Sequence, residues 1–102
     1  MEVVKLTKEQ VSTIYNERMI DDFPPDERKP LAMLFAQIDS GHYDCLGLED
    51  DGHILGYAYF YRVDRIYLFD YLAIEKSVRD KGIGSIFLSK LSEYMTDAEA
   101  VI

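Results

Sequence analysis

The sequence carries a single cysteine, Cys45, so no disulfide can form within the chain. That excludes the cross-linked frameworks of small secreted domains and makes a reducing cytoplasm the expected compartment. Set in the alternating stretch "YDCLGL", Cys45 reads as a small strand residue rather than a nucleophile. Histidine is almost as scarce. His42 and His53 lie in or beside turn-forming stretches at no metal-ligand spacing, and no metal is expected. No apolar run approaches the roughly 18 residues that a membrane span needs. The N-terminal "MEVVKLTKEQ" lacks the basic start and apolar block of a secretory signal. Cations are in deficit as well: 11 Lys and Arg face 19 Asp and Glu, for a net charge of −8. Nucleic-acid binding depends on neutralising phosphates, so this balance argues against it.

What is present is a globular composition. With 102 residues, 48% of them hydrophobic and 29% charged, the chain is long enough for one core and one domain. The acidity is not uniform. Lys76, Arg79 and Lys81 gather around the single anion Asp80, a cationic loop suited either to solvent or to a small anionic ligand.

Periodicity orders the elements. "VVKL" (3–6) reads as a strand. Thr7 and Gln10 then have capping-box spacing at the start of a helix that carries Val11, Ile14, Tyr15 and Met19 on one face. "PPDERKP" interrupts it, and Pro30 fits the first turn of a second helix, with Leu31, Leu34, Phe35 and Ile38 as its apolar stripe and Gly41 as its stop. "YDCLGLED" and "HILGYAYFYRV" flank an Asp-Gly turn and predict a β-hairpin. "IYLFDYLAI" (66–74) follows as a further strand. A third helix is expected to bury Ile83, Ile86, Phe87, Leu91 and Tyr94, and "AEAVI" begins like a strand parallel to 66–74.

Between that strand and the third helix lies "SVRDKGIGSIFL" (77–88). A strand leading through glycines into a helix aims backbone N–H groups and the positive end of the helix dipole at one spot, a geometry that holds phosphate. A Walker A loop is excluded, because Gly-x-x-x-x-Gly-Lys-Ser/Thr does not occur. The dinucleotide fingerprint is excluded too, since Phe87 stands where its third glycine belongs.

"RDKGIG" (79–84), an Arg-x-x-Gly-x-Gly run directly after "YLAIE", resembles motif A of the GCN5-related N-acetyltransferases, the GNAT superfamily. The element order resembles that family over nearly the whole chain. The resemblance implies an α/β (α+β) fold with a GNAT-like mixed sheet in the order β-α-α-β-β-β-α-(β). It also implies acetyl-CoA as co-substrate and an amine as acceptor. Residues 1–102 would form one acetyl-CoA-binding domain. By the same resemblance the strand before the loop splays from its neighbour, and Leu72, Ala73 and Ile74 pair with the pantetheine arm. The pyrophosphate rests on the amides of Arg79, Asp80, Lys81, Gly82, Ile83, Gly84 and Ser85, with the Ser85 hydroxyl as a further donor. The chain departs from the pattern at Lys76, where a proline is common, at Val78, where an aromatic is common, and at Asp80, where a glycine is common.

Acetyl transfer to an amine requires a group that takes a proton from the ammonium. Asp70 is the one carboxylate within the apolar and aromatic strand 66–74, and a period of two places it on one face with Ile66, Leu68, Leu72 and Ile74. Asp70 is the candidate base; the alternative is a carboxylate satisfied by a neighbouring tyrosine or arginine. Tyr57, Tyr59 and Tyr61 alternate along one strand face, either as packed amphipathic residues or as the lining of an amine pocket. "DDFPPDE" (21–27) lies where family members shape the acceptor site. By the same resemblance further C-terminal elements are missing, so the chain reads as a fragment, as a homodimer in which a second copy supplies the sheet edge, or as a small sheet adequate by itself. Two functions stay open: an N-acetyltransferase, or an inactive remnant serving as a CoA-binding or protein-interaction module.

Overall fold

The computed structural model describes residues 1–102 and forms one five-stranded sheet with helices on both faces. Strand β1 (Glu2–Lys5) leads into α1 (Lys8–Ile14). Thr7 and Gln10 close the capping box reciprocally: Gln10 N donates to Thr7 Oγ1 at 3.1 Å and Thr7 N donates to Gln10 Oε1 at 2.9 Å. The helix continues through a π-helical turn (Tyr15–Met19) into α2 (Ile20–Asp22), and Phe23 is already extended ahead of Pro24. The next helix, α3, spans Leu31–Asp39. Pro30 stands one residue before it, at φ −57° and ψ 144°, rather than in its first turn. Gly41 ends α3 with φ +81°, its N–H reaching the Ile38 carbonyl at 3.2 Å.

Strands β2 (Tyr43–Asp50), β3 (His53–Val63) and β4 (Ile66–Ile74) follow as an antiparallel meander. Asp51 and Gly52 both have positive φ (51° and 82°), as the tight hairpin turn between β2 and β3 requires. A short 3₁₀ turn (Lys76–Val78) then precedes α4 (Ile83–Tyr94). Strand β5 (Ala100–Val101) pairs parallel to β4, and the sheet order is β1-β2-β3-β4-β5.

Strand alternation divides the core in two. Tyr43, Cys45, Tyr57 and Tyr59 pack under α1 and α3 with Val11, Ile14 and Leu34. Leu46, Leu48, Ala58 and Phe60 pack under α4 with Ile83, Phe87 and Leu91. The α4 stripe is narrower than its sequence suggests. At about 100° per residue the buried arc centres between Phe87 and Leu91 and is completed by Met95, while Ile86 lies well off it and is 38% exposed. Tyr94 overhangs the sheet at 46% exposure, its ring near Phe60 and its hydroxyl 3.4 Å from Asp44.

A second departure lies in β4. The register runs Tyr59↔Tyr71 and then Phe60↔Phe69, so Asp70 has no residue opposite it. This is a β-bulge, and it interrupts the period of two. Tyr67 and Phe69 pack on the α4 side, but Tyr71 and Ala73 pack on the α1 side and Ile74 returns to α4. The face expected to join Ile66, Leu68, Asp70, Leu72 and Ile74 is therefore split at Asp70.

The α1-side core fixes the alkaline stability. Burial, helped by Asp44 and Asp70, pushes the Cys45 thiol up to about 12. Burial likewise raises the hydroxyls of Tyr43, Tyr57 and Tyr59 above their ordinary 10. In the unfolded chain these groups ionise at their usual values, so above about pH 9 the native state holds more protons than the unfolded one, and stability falls as pH rises. The denaturant midpoint is expected to fall steadily between pH 9 and 12, with the thiol unreactive toward a disulfide reagent until the chain unfolds. A midpoint flat across that range would contradict this burial.

Candidate functional site

The largest groove of the molecule, about 460 Å³, opens where β4 ends and α4 begins. Its wall is Leu72, Ala73 and Ile74. Strand β5 pairs with β4 at Ile66 and Tyr67, and Phe69 N–H reaches the Ile102 carbonyl at 2.9 Å. From Leu72 to Ile74 no strand lies on that side. Glu75 N–H bonds to Leu55 of β3 at 2.8 Å, so by alternation the backbone groups of Ile74 and Leu72 point away from β3, toward the groove.

The turn beyond β4 is shaped by two left-handed residues. Asp80 has φ +67° and Gly82 has φ +76°. Aspartate tolerates this region better than most side chains, which accounts physically for Asp80 at a position where glycine is common in motif A. Gly82 is the N-cap of α4 and supplies no side-chain cap, so the first-turn N–H groups of this 12-residue helix are left for a ligand or solvent. Gly84 lines the groove, and a Cβ there would meet only Ile74 Cγ1, at 3.8 Å.

Arg79 ties the two banks together. Its Nε donates to the Ile74 carbonyl at 2.8 Å and its Nη2 to Asp22 Oδ1 at 3.0 Å. Asp22, only 8% exposed at its side chain, also accepts from the Tyr57 hydroxyl at 2.7 Å. The guanidinium is thus spent on protein groups, which leaves Lys76 and Lys81 as the loop's unpaired cations.

Of the residues named from the sequence, Leu72, Ala73, Ile74, Arg79, Asp80 and Gly84 line the groove. Lys81, Gly82, Ile83 and Ser85 do not; Ile83 turns its side chain into the core, leaving only its backbone available. Four lining residues were not named as cofactor-binding from the sequence: Asp22, Phe23, Phe87 and Leu88. Phe87 and Leu88 stand three and four residues after Gly84, so helical spacing alone carried that signal. Asp22 and Phe23 belong to the acidic stretch 21–27, which the resemblance assigned to the acceptor side and whose distance in sequence hid its contact with the loop.

Asp70 lies away from the groove, on the α1 side of the sheet. Its Oδ2 accepts from Tyr43 Oη at 2.6 Å and from Lys29 Nζ at 2.7 Å. Lys29 Nζ also donates to the Tyr61 hydroxyl and sits 4.7 Å from the Tyr61 ring centroid. Burial disfavours the Lys29 charge, yet Asp70 and Tyr61 outweigh it and hold the ammonium above its ordinary pKa. The tyrosine row on β3 divides its tasks: Tyr57 holds Asp22, Tyr61 meets Lys29, and the Tyr59 hydroxyl is buried without a partner.

The family model for the Acetyltransferase (GNAT) family matches residues 10–101. The chain belongs to the GNAT family. Its fold is similar to that of a GNAT-family protein from Bacteroides thetaiotaomicron, with a TM-score of 0.79 and 24% identity over 92% of this chain and 55% of that one. The ribosomal-protein-S18-alanine N-acetyltransferase of Escherichia coli aligns with a TM-score of 0.72 and 15% identity over 91% of this chain and 57% of that one. A Clostridium acetobutylicum protein solved with acetyl-CoA gives 0.68 and 14%, over 99% of this chain and 78% of that one. This GNAT chain thus spans little more than half the length of the first two structures. No curated protein matches it.

The groove wall also rests on a glycine. A Cβ at Gly56 of β3 would stand 2.8 Å from Ile74 Cδ1, 3.1 Å from the Ala73 carbonyl and 3.1 Å from Phe87 Cδ2, all three groove residues. Gly56→Ala is expected to destabilise the fold by about 1–3 kcal/mol through this crowding, read as a lower denaturant midpoint. An unchanged midpoint would mean that the wall yields freely.

Proposed function

We propose that this GNAT chain binds acetyl-CoA in the groove and transfers the acetyl group to a primary amine of a small molecule or peptide. The observation that carries the reading is the meeting of an unpaired strand edge at Leu72–Ile74 with the uncapped start of α4. The pantetheine arm pairs with the outward backbone groups of Leu72 and with the Ile74 N–H, the Ile74 carbonyl being held by Arg79. The pyrophosphate rests on the amides from Arg79 to Ser85, with the Ser85 hydroxyl as a further donor, and Lys76 and Lys81 add positive potential. Arg79 serves chiefly to hold the Ile74 end of the wall against Asp22. In the transfer, the acceptor nitrogen forms a bond to the acetyl carbon as the carbon–sulfur bond breaks. The ammonium proton goes to a base and the thiolate takes up a proton.

Asp70 is our candidate for that base. It is the bulged residue of β4, two positions before the groove wall, and its carboxylate already holds an ammonium at 2.7 Å. The same ion pair favours a second reading, a CoA-binding or protein-interaction module without turnover, in which Asp70 serves only to anchor Lys29. A homodimer belongs to the same proposal. Between α4 and β5 an apolar hollow of about 240 Å³, lined by Phe69, Leu88, Leu91, Met95 and Val101, offers a second copy a place beside the sheet. No helix is long and apolar enough to cross a membrane. With Cys45 free, we place the activity in the cytoplasm.

Calorimetric titration of acetyl-CoA into the purified chain, with its oligomeric state recorded in the same buffer, tests the groove. Micromolar binding is expected, about −8 kcal/mol, and Gly82→Glu should abolish it by adding charge and left-handed strain beside the helix start. A folded wild type that does not bind overturns the reading. For the base, Asp70→Asn should lower turnover by about 100-fold or more and change the pH–rate profile. Turnover and profile unchanged by that substitution would take Asp70 out of the chemistry and leave it the anchoring role.

A further inference from the structure

On the face of the sheet opposite α4, three strands converge on one ammonium and α3 braces them. Tyr43 comes from β2, Tyr61 from β3, Asp70 from β4 and Gln37 from α3. The Lys29 Nζ stands 2.7 Å from Asp70 Oδ2, donates to the Tyr61 hydroxyl, and lies 4.7 Å and 5.7 Å from the ring centroids of Tyr61 and Tyr43. Tyr43 donates to the same Asp70 oxygen, and Gln37 Nε2 donates to the Tyr61 hydroxyl at 2.6 Å. A carboxylate beneath two aromatic faces is the chemistry that recognises an alkylammonium ion.

The walls and the occupant have different origins. Every wall residue sits in a helix or strand, whereas Lys29 sits in the connection between α2 and α3, which contains Pro24, Pro25 and Pro30. The ammonium can leave with that connection while the cage stays. The site is also reachable: the side chains of Lys29 and Asp70 keep 25% and 18% of their exposure. One acceptor is left over, since the amide oxygen of Gln37 is buried without a partner.

The same connection touches the groove. Phe23 at its start lines the groove and packs edge-on against Tyr71 at 5.0 Å. At its end the Tyr71 hydroxyl accepts from Lys29 N and donates to the Glu27 carbonyl, both at 2.9 Å. Asp70 stands two residues from Leu72, roughly 7 Å along the strand. An amine seated on Asp70 is therefore close to the groove wall without lying in the groove.

We propose that Tyr43, Tyr61, Gln37 and Asp70 form the subsite for the acceptor's ammonium group, that Lys29 plugs it in the free protein, and that the acceptor is an unbranched primary alkylammonium that displaces Lys29. This rests on the acetyl-transfer reading and narrows its acceptor. Two sources share the chemistry, a lysine side chain in a peptide and a free linear diamine. An amine on a branched carbon beside a carbonyl, as at a peptide N-terminus, lacks the unbranched methylene stem that carries the Lys29 ammonium to Asp70 and the Tyr61 ring.

The test is binding of three probes, cadaverine, Nα-acetyl-lysine N-methylamide and alaninamide, to wild type and to Lys29→Ala, followed by calorimetry and by the ring signals of Tyr43 and Tyr61 in NMR. Removing the internal competitor should tighten the first two probes by about tenfold or more, leave alaninamide unbound, and fail when Asp70→Asn is added. Tighter cadaverine points to a free diamine, and a tighter lysine derivative to a peptide side chain. A folded Lys29→Ala that binds neither, or that binds them no better than wild type, overturns the proposal. Lys29→Met keeps the apolar stem should the alanine variant unfold. In wild type itself, excess probe must shift the Tyr61 and Tyr43 signals, and silence there overturns the proposal whatever the variants do. Acetyl-CoA titrated in parallel separates the two ideas. If acetyl-CoA fails to bind while the amines bind, the transfer reading falls and the ammonium site stands.

Discussion

The extra residue in β4 is the constraint on which the site depends. Because Asp70 has no partner opposite it, the strand changes phase in mid-course. Before the bulge, Tyr67 and Phe69 serve the α4 core; after it, Tyr71 and Ala73 serve the α1 core while Ile74 turns to α4. A regular strand would have kept one assignment throughout and placed the carboxylate with Leu72 and Ile74. The bulge instead aims Asp70 at Tyr43 and Lys29 and keeps the groove wall apolar. One strand thereby carries an ion-pair site on one face and an uncharged channel wall at its outer edge.

The channel depends on a second economy of charge. Arg79 is the first residue of the glycine motif, and an anion-binding role for its guanidinium would be the simple expectation. The guanidinium is held instead by the Ile74 carbonyl and by a nearly buried Asp22, itself held by Tyr57. Asp22 joins the two ends: removing it would leave the buried Tyr57 hydroxyl without its acceptor and Arg79 without its carboxylate, so the network stands or falls on that side chain. In the proposed function, anion affinity falls to the backbone N–H groups at the start of α4, placed by two left-handed residues. Backbone donors need no net charge, so an acidic protein can carry the site.

Much of this was legible in the sequence because it is encoded locally. The Thr7–Gln10 cap, the Asp51–Gly52 turn and the glycine loop each depend on residues within a few positions of one another. Family resemblance then supplied the proposed role of Arg79–Gly84 and of the strand before it. What stayed hidden is non-local. No spacing rule foretells a bulge, so the split face of β4 could not be read from 66–74. Asp22 and Phe23 reach the groove from an acidic stretch more than a full helix away, and Lys29 meets Asp70 across 41 residues. The tyrosine row of β3 was visible as a row, but the partner of each hydroxyl was decided by elements far off in the chain. Ile86 and Tyr94 were assigned to the core by helical phase alone, whereas the sheet covers only a narrow arc of α4, which leaves Ile86 off it, and does not extend under the helix end, where Tyr94 overhangs.

The central strand carries one more consequence. β3 is buried along most of its 11 residues and hydrogen-bonded on both sides to its sequence neighbours. The meander from β2 to β4 is therefore a short-range unit whose loops close at little entropic cost. β1 must instead find β2 from across both N-terminal helices, and β5 holds by two pairs. Folding can begin in the middle of the chain and recruit its flanks afterwards. The groove, built where the middle meets the last helix, is then among the last features to take shape and the first to loosen.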